Sequence, residues 1–221
     1  MHNQQLQPRP FVFIVDSPSS EDLYNGDSIG LALRNALNAI RIPCVYTLAT
    51  NLETFSKTFQ QKLPQSIHQF QTYPPSNTYP FIHLCMHGNP LGIGLTDGSL
   101  LNWSELRNLL ITHNHVKGYD PLVSMASCNG INAVNMANAY DSAFNMLIGN
   151  TGAVLQSDVT VAYLAFYNQI FVKGANVDQA VTTMKNATGD YNFYYAIGEV
   201  IKNNKFNELY PPAQPYVPTG I

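Results

Sequence analysis

The stretch "FIHLCMHGNP", residues 81–90, is the part of the sequence from which the fold is best read. An apolar run there carries His83, Cys85 and His87 at alternate positions and then turns at Gly88-Asn89-Pro90. Alternate side chains of a strand share one face of a sheet, so the three would point the same way. The pattern therefore predicts a strand and leaves three interpretations of it: a metal site, a catalytic site, or a buried strand with polar residues in the core.

Apolar runs and amphipathic segments alternate on both sides of this stretch. Residues 10–18 and 44–49 predict two earlier strands, and residues 121–130 and 144–157 predict two later ones. Residues 191–200 predict a last strand, with a helix as a nearly equal alternative. Because helical patterns at 3.6-residue spacing separate these runs, the order is typical of an α/β fold with a mainly parallel central sheet flanked by helices.

This alternation divides the chain into three parts. Residues 1–10 are read as a polar N-terminal extension, residues 11–200 as one domain, and residues 201–221 as a proline-rich C-terminal tail that is extended, docked or disordered. Within the domain, Asp97-Gly98 predicts a hairpin turn. Asp27 or Ser28 is expected to cap one helix, and Thr50 with Glu53 another.

Composition limits the function classes. Hydrophobic residues make up 45% of the 221-residue chain and charged residues only 11%, with a net charge of -3. No basic run is present, which argues against nucleic acid as a partner. No apolar stretch reaches the length of a membrane span. The three cysteines are odd in number and widely separated, which is not a disulfide framework, so a reducing cytoplasm is the expected location.

Two predicted strand ends carry residues suited to chemistry. In parallel sheets, ligands bind beyond the carboxyl ends of the strands. His87-Gly88 ends one predicted strand and Cys128 ends the next. A histidine base can activate a thiol nucleophile, so His87 and Cys128 are the candidate catalytic pair, and the backbone N–H groups of Gly88 and Cys128 are the candidate oxyanion donors. The alternative is that the histidine and the cysteine are each structural residues.

A metal site is the weaker interpretation of His83, Cys85 and His87. Zinc accepts imidazole and thiolate ligands. However, the first and last of these residues lie about 13 Å apart in a strand that rises ~3.3 Å per residue, and no carboxylate adjoins them. We therefore expect His83 and Cys85 to be core residues of a strand covered on both faces.

The sequence resembles the caspase-like (clan CD) cysteine peptidases, and among them the CHAT-type bacterial branch. The resemblance rests on a strand ending in His-Gly, "IHLCMHG", and a later strand ending in Cys-x-Gly, "LVSMASCNG". Between them, "GIGLTDGSLLNWSELRNLL" is similar to the family's glycine-rich hairpin and helix. After them, residues 150–187 are similar to its strand, loop and two helices, and "YYAIGE" to its closing segment. The match covers roughly residues 11–200, although Ala126-Ser127-Cys128-Asn129-Gly130 departs from the Gln-Ala-Cys-x-Gly of caspases proper.

The resemblance implies a caspase-hemoglobinase-like three-layer sandwich. It implies a cysteine endopeptidase that hydrolyses a protein or peptide substrate through a dyad of His87 and Cys128 and a thioacyl intermediate, with Gly88 as oxyanion donor. It implies no metal and no organic cofactor. CHAT relatives are often effectors in bacterial defence or cell death, so a separate activating or sensor protein is a further expected partner.

The resemblance also suggests residues that bind the substrate, in the loop after the fifth strand. If Asp158 lines the pocket, a basic P1 residue is expected, and if Gln156 does, a neutral one. Asp158 as a helix cap is an equally open alternative, and Asp16 is a third candidate. For the whole chain, two other functions stay open: a catalytically silent caspase-fold binding module and, less favoured, a zinc hydrolase using His83, Cys85 and His87.

Overall fold

The computed structural model describes residues 10–70, 80–114 and 121–211. Within them lie eight strands: β1 (Phe11–Ser17), β2 (Cys44–Leu48), β3 (Pro80–Asn89), β4 (Gly92–Gly94), β5 (Leu100–Asn102), β6 (Leu122–Ala126), β7 (Met146–Asn150) and β8 (Phe193–Ile197). The main path of the sheet is β2-β1-β3-β6-β7-β8. Neighbours from β2 to β7 are parallel, and β8 is antiparallel to β7. The predicted mainly parallel α/β sheet is confirmed.

The connections between the strands are mostly helical. The helices are α1 (Ser20–Asn25), α2 (Ile29–Ala39), α3 (Leu52–Lys57), α4 (Leu63–Phe70), α5 (Trp103–Asn114), α6 (Gln156–Phe171), α7 (Val177–Thr188) and α8 (Gly198–Leu209). A π-helical turn (Thr58–Lys62) joins α3 to α4, and a 3-10 helix (Gly130–Met136) follows β6. None of the helices in the described ranges is long and apolar enough to cross a membrane.

Helices cover both faces of the sheet, and the core is divided accordingly. In β1, Phe11, Phe13 and Val15 pack in one apolar cluster, with side chains of α3, α4 and α5. Val12 and Ile14, which alternate with them, pack in the other cluster, with α2, α6 and α7. All five side chains are fully buried. Strand β1 is therefore apolar throughout because neither of its faces meets water.

Local signals explain where several elements begin. Ser28 caps α2, its hydroxyl accepting the N–H of Leu31 at 2.9 Å, as one of the two predicted caps. Asp97-Gly98 lies in the connection between β4 and β5, where Gly98 has a φ of 85°, so the predicted hairpin is confirmed. The Thr50–Glu53 cap was wrong, because Asn51 caps α3 together with Thr54.

The C-terminal boundary also needs correction. Residues 201–209, assigned to a proline-rich tail, belong to helix α8, which starts directly after β8. The end of the chain beyond residue 211, like residues 1–9, lies outside the described part. The observed segment is thus a helix that continues the domain, and the tail assignment began too early.

The parallel pairing sets the edge at which the candidate residues meet. Asp16 of β1 pairs with Cys85 of β3, and Cys85 pairs in turn with Ala126 of β6. His87 and Cys128 each lie two residues beyond this level. Two strands that are neighbours in the sheet therefore carry the histidine and the cysteine to the same carboxyl edge.

Candidate functional site

One pocket opens at the carboxyl edge of β1, β3 and β6. Its wall includes both His87 and Cys128, with Met86 and Ser127 beside them. Helix α1, the loop after β7 and the first turn of α6 complete the wall. Three carboxylate side chains line it, those of Asp16, Asp22 and Asp27, and no lysine or arginine is among its lining residues. The two residues proposed as a pair thus share one cavity, and the cavity has an acidic lining.

Cys128 sits in a sharp turn between β6 and the 3-10 helix. The next residue, Asn129, has a φ of 55°, in the left-handed region where asparagine is one of the tolerated residues. The backbone N–H of Asn129 donates to the carbonyl of Gly152 at 2.8 Å. The Cys128 sulfur is half-buried and lies 4.0 Å from the carbonyl oxygen of Val154. The loop after β7 therefore holds the turn that presents the thiol to the pocket.

Gly88 is required at its position by a close backbone approach. A Cβ atom there would lie 2.4 Å from the carbonyl oxygen of Cys128 and 2.9 Å from the Cβ of Ser127. No real side chain tolerates the first distance. The residue after the histidine therefore packs directly on the backbone of the candidate nucleophile.

His87 contacts an acid that the sequence reasoning missed. Its Nε2 lies 3.5 Å from Oδ2 of Asp22 in α1, and the two side chains are 62% and 23% exposed. The hydroxyl of Ser19 donates to the same carboxylate at 2.7 Å, and Gln156 Nε2 lies 3.5 Å from it. The Ser19 hydrogen bond, followed by His87, holds the pKa of Asp22 below its usual value. A sequence signal existed: Ser19-x-x-Asp22 is a helix-start pattern immediately after the first strand.

Asp16, a candidate for binding substrate, lines the pocket but is buried. Its carboxylate accepts hydrogen bonds from the hydroxyls of Ser28 and Tyr46, the latter at 3.0 Å. Burial raises the pKa of Asp16, and these hydrogen bonds only partly oppose it. A Cβ on Gly30 would lie 2.6 Å from the Asp16 carboxyl carbon, so α2 packs tightly on the acid. Much of the hydrogen-bonding capacity of Asp16 is used in holding α2 and β2 to the end of β1.

The two candidates after the fifth strand differ in position. Gln156 is part of the pocket wall, whereas Asp158 is not among the lining residues. Asp158 lies in the first turn of α6 and accepts a long 3.4 Å hydrogen bond from Ser157. A carboxylate there interacts favourably with the positive end of the helix dipole. The geometry therefore brings Gln156, and not Asp158, to the two candidate catalytic residues.

His83 and Cys85 lie in the core beneath the pocket. His83 is fully buried, its Nδ1 lies 2.9 Å from the hydroxyl of Tyr167, and its ring meets that of Tyr163 edge to face at 4.6 Å. Burial lowers the pKa of His83 to about 3. Burial, with the nearby Asp16, raises the pKa of the Cys85 thiol well above its usual value. Within the described ranges, no group of three or more His, Cys, Asp or Glu residues is arranged to hold a metal ion.

No protein-family model matches the chain, and no curated protein matches its sequence. The functional interpretation therefore rests on the site itself and on the motifs quoted above.

Proposed function

We propose that this chain is a cysteine endopeptidase of the caspase-like type, and within it of the CHAT branch. One observation carries the proposal. His87, near the end of β3, and Cys128, just after the neighbouring parallel strand β6, line one pocket, while Gly88 packs on the backbone of Cys128. That arrangement agrees with the resemblance, which requires a histidine and a cysteine at adjacent strand ends of a helix-flanked sheet.

The residues would act in the following order. His87 takes the proton of the Cys128 thiol, and the sulfur attacks the peptide carbonyl carbon, forming an S–C bond. The backbone N–H groups of Gly88 and Cys128 stabilise the oxyanion. The C–N bond then breaks as His87 gives its proton to the leaving amine. Water, deprotonated by the same imidazole, hydrolyses the thioester and regenerates the thiol.

The acidic lining restricts the substrate. Asp22 and Asp27 are two carboxylates of the pocket wall, and Asp16 is a third at greater depth. Like charges disfavour one another, so a substrate side chain with a carboxylate is disfavoured in this pocket. We therefore expect cleavage after neutral or basic residues and not after Asp or Glu.

Location and partners follow from the same proposal. The three cysteines are free thiols, as a reducing cytoplasm requires. A protein or peptide is the substrate, and a separate activating or sensor protein in a bacterial defence or cell-death response is the expected partner.

Thiol-directed labelling tests the proposal. A peptidyl acyloxymethyl ketone, which loses its carboxylate on attack by an activated thiolate, is expected to label Cys128 selectively at neutral pH. Labelling should disappear in Cys128→Ala, fall strongly in His87→Ala, and persist in Cys44→Ala, a control that removes a half-buried thiol outside the pocket wall. Equal labelling of all three cysteines, or of none, contradicts the proposal.

Cleavage profiling then separates the peptidase from a silent binding module. Wild-type protein and Cys128→Ala are each incubated with a peptide library derived from a whole proteome, and new N-termini are sequenced. Cleavages present only with the wild type support the peptidase, and the residues before them report the preference of the pocket. An identical set of termini from both proteins favours the binding module.

A further inference from the structure

We propose that Asp22 is a positioning residue for His87, in that its carboxylate holds the imidazole by Nε2 and leaves Nδ1 free to exchange a proton with Cys128. The inference rests on the proposed function, since it gives His87 its orientation in that reaction. The Asp22 Oδ2 to His87 Nε2 distance is 3.5 Å, an ion-pair contact somewhat longer than an ordinary hydrogen bond. Catalytic hydrogen bonds are often long before substrate binds and tighten in the complex.

The carboxylate is itself held in place. The Ser19 hydroxyl donates to Asp22 Oδ2 at 2.7 Å and accepts the backbone N–H of Asp22 at 3.0 Å. The same oxygen lies 3.5 Å from Gln156 Nε2 at the start of α6. A group fixed from two sides loses little further conformational freedom when it binds a third, which suits a residue whose role is to orient another.

The helix that carries Asp22 is anchored at the same edge of the sheet. The hydroxyl of Ser20 donates to the carbonyl of Thr96 at 2.9 Å, and the hydroxyl of Ser17 lies 3.1 Å from that of Thr96. Thr96 belongs to the connection of the β4–β5 hairpin, and β4 pairs with the end of β3 that bears His87. The acid and the imidazole are thus both connected to β4, the acid through α1 and the β4–β5 connection and the imidazole through the pairing of β3 with β4.

Among the acids of the pocket, Asp22 is the one in ion-pair contact with His87. The carboxylate of Asp16 already accepts hydrogen bonds from the hydroxyls of Ser28 and Tyr46. Asp27 lines the wall and adds negative charge to it. The titratable groups that share the pocket with His87 are Asp16, Asp22, Asp27, Cys85 and Cys128. Removing the charge of Asp22 leaves the other groups in place, so its effect can be measured against them.

The first test is independent of activity. Long-range proton–nitrogen NMR correlations identify which imidazole nitrogen of neutral His87 carries the proton. At pH 8 we expect Nε2–H in the wild-type protein and a mixture of tautomers in Asp22→Asn. Glu21→Gln, which removes the same charge from an exposed neighbour on α1, should retain Nε2–H. A His87 tautomer that does not change in Asp22→Asn overturns the proposal, whatever the protein does to peptides.

The second test follows the thiol. Alkylation of Cys128 by iodoacetamide should slow about two- to fivefold in Asp22→Asn between pH 6 and 8, the size expected for a partly exposed surface ion pair. Asp22→Glu should recover part of the rate, and Glu21→Gln should match the wild type. An alkylation rate unchanged in Asp22→Asn refutes the positioning role. A wild-type Cys128 that reacts no faster than an unfolded cysteine refutes the peptidase instead, while the NMR result still decides whether Asp22 holds His87.

Discussion

The buried imidazole of His83 predicts a loss of stability in mild acid. The pKa of His83 is about 3 in the folded protein, against about 6.5 for an unperturbed histidine. A depressed pKa contributes stability that is complete above pH 6.5 and is lost as the pH falls toward 3, because the unfolded chain then binds a proton that the folded chain refuses. Between pH 7 and pH 5 the integrated loss is about 2 kcal/mol, from about 1.4 kcal/mol per pH unit below 6.5.

A non-titrating variant isolates this contribution. In His83→Asn the amide nitrogen can take the place of Nδ1 beside the Tyr167 hydroxyl, which lies 2.9 Å from Nδ1 in the native protein. The variant is expected to be less stable at pH 7 because it leaves space in the core. Its free energy of unfolding should nevertheless fall by about 2 kcal/mol less than that of the wild type between pH 7 and pH 5.

Urea denaturation at both pH values, followed by circular dichroism, measures the difference. The raised pKa of Asp16 acts with the opposite sign, since its contribution is present at low pH and lost as the pH rises, but it acts equally in both proteins. His83→Phe, which fills more of the space, serves as a second non-titrating variant. If wild type and variants lose stability in parallel between pH 7 and pH 5, His83 is not the neutral core residue described above.

Two further changes probe the turn that presents the thiol. Gly88→Ala should destabilise the protein by about 1–3 kcal/mol and slow labelling of Cys128, because the new Cβ would meet the Cys128 carbonyl oxygen at 2.4 Å. The control is Gly94→Ala, whose new Cβ would have its nearest neighbour 3.8 Å away and should leave thermal unfolding and labelling nearly unchanged. Equal behaviour of the two variants would refute the close approach at Gly88. Asn129→Val should lower the free energy of unfolding, measured by urea denaturation, by about 1–2 kcal/mol, because residue 129 has a left-handed φ of 55°. Asn129→Gly should leave that free energy nearly unchanged. A valine variant as stable as the glycine variant would contradict the assigned backbone conformation.

The strands could be located from the sequence, but most of their pairing could not. Apolar runs bounded by prolines and polar turns marked β1 and β3 within a residue or two of their observed ends. Which strand lies beside β3 depends on long-range hydrogen bonds that leave no local pattern. The antiparallel direction of β8 likewise could not be predicted, because the side chains of a single strand have the same periodicity in either direction.

Helix boundaries show where local signals compete or are lacking. Thr50 and Glu53 fit a capping pattern, but the side chain of Asn51 reaches the N–H of Thr54 and starts α3 one residue later. In α8, Val200 and Leu209 remain about half exposed, so no clear apolar stripe marks the helix. The prolines that follow α8 led to the prediction that this region is a proline-rich tail.

Some residues of the candidate site could likewise be predicted from the sequence, and others could not. His87 and Cys128 could be found because each ends a predicted strand next to a turn, where parallel sheets bind ligands. The pattern Ser19-x-x-Asp22 indicates the start of α1, but the contact of Asp22 with His87 could not be predicted, since it forms only after α1 folds over the strand ends. The choice between Gln156 and Asp158 likewise depended on which face of the first turn of α6 meets the pocket.

The anchoring of α1 has a thermodynamic consequence for the whole cavity. This helix contributes no residue to either apolar cluster and is held by polar contacts, while Leu23 and Tyr24 remain exposed. Local opening free energies follow the apolar surface that an element buries, so α1 is the wall of the cavity that detaches most cheaply. Detachment would remove the carboxylate from His87 while leaving the sheet, the cysteine turn and the core intact. The detachment of this wall and the orientation of the His87 imidazole are therefore governed by one equilibrium.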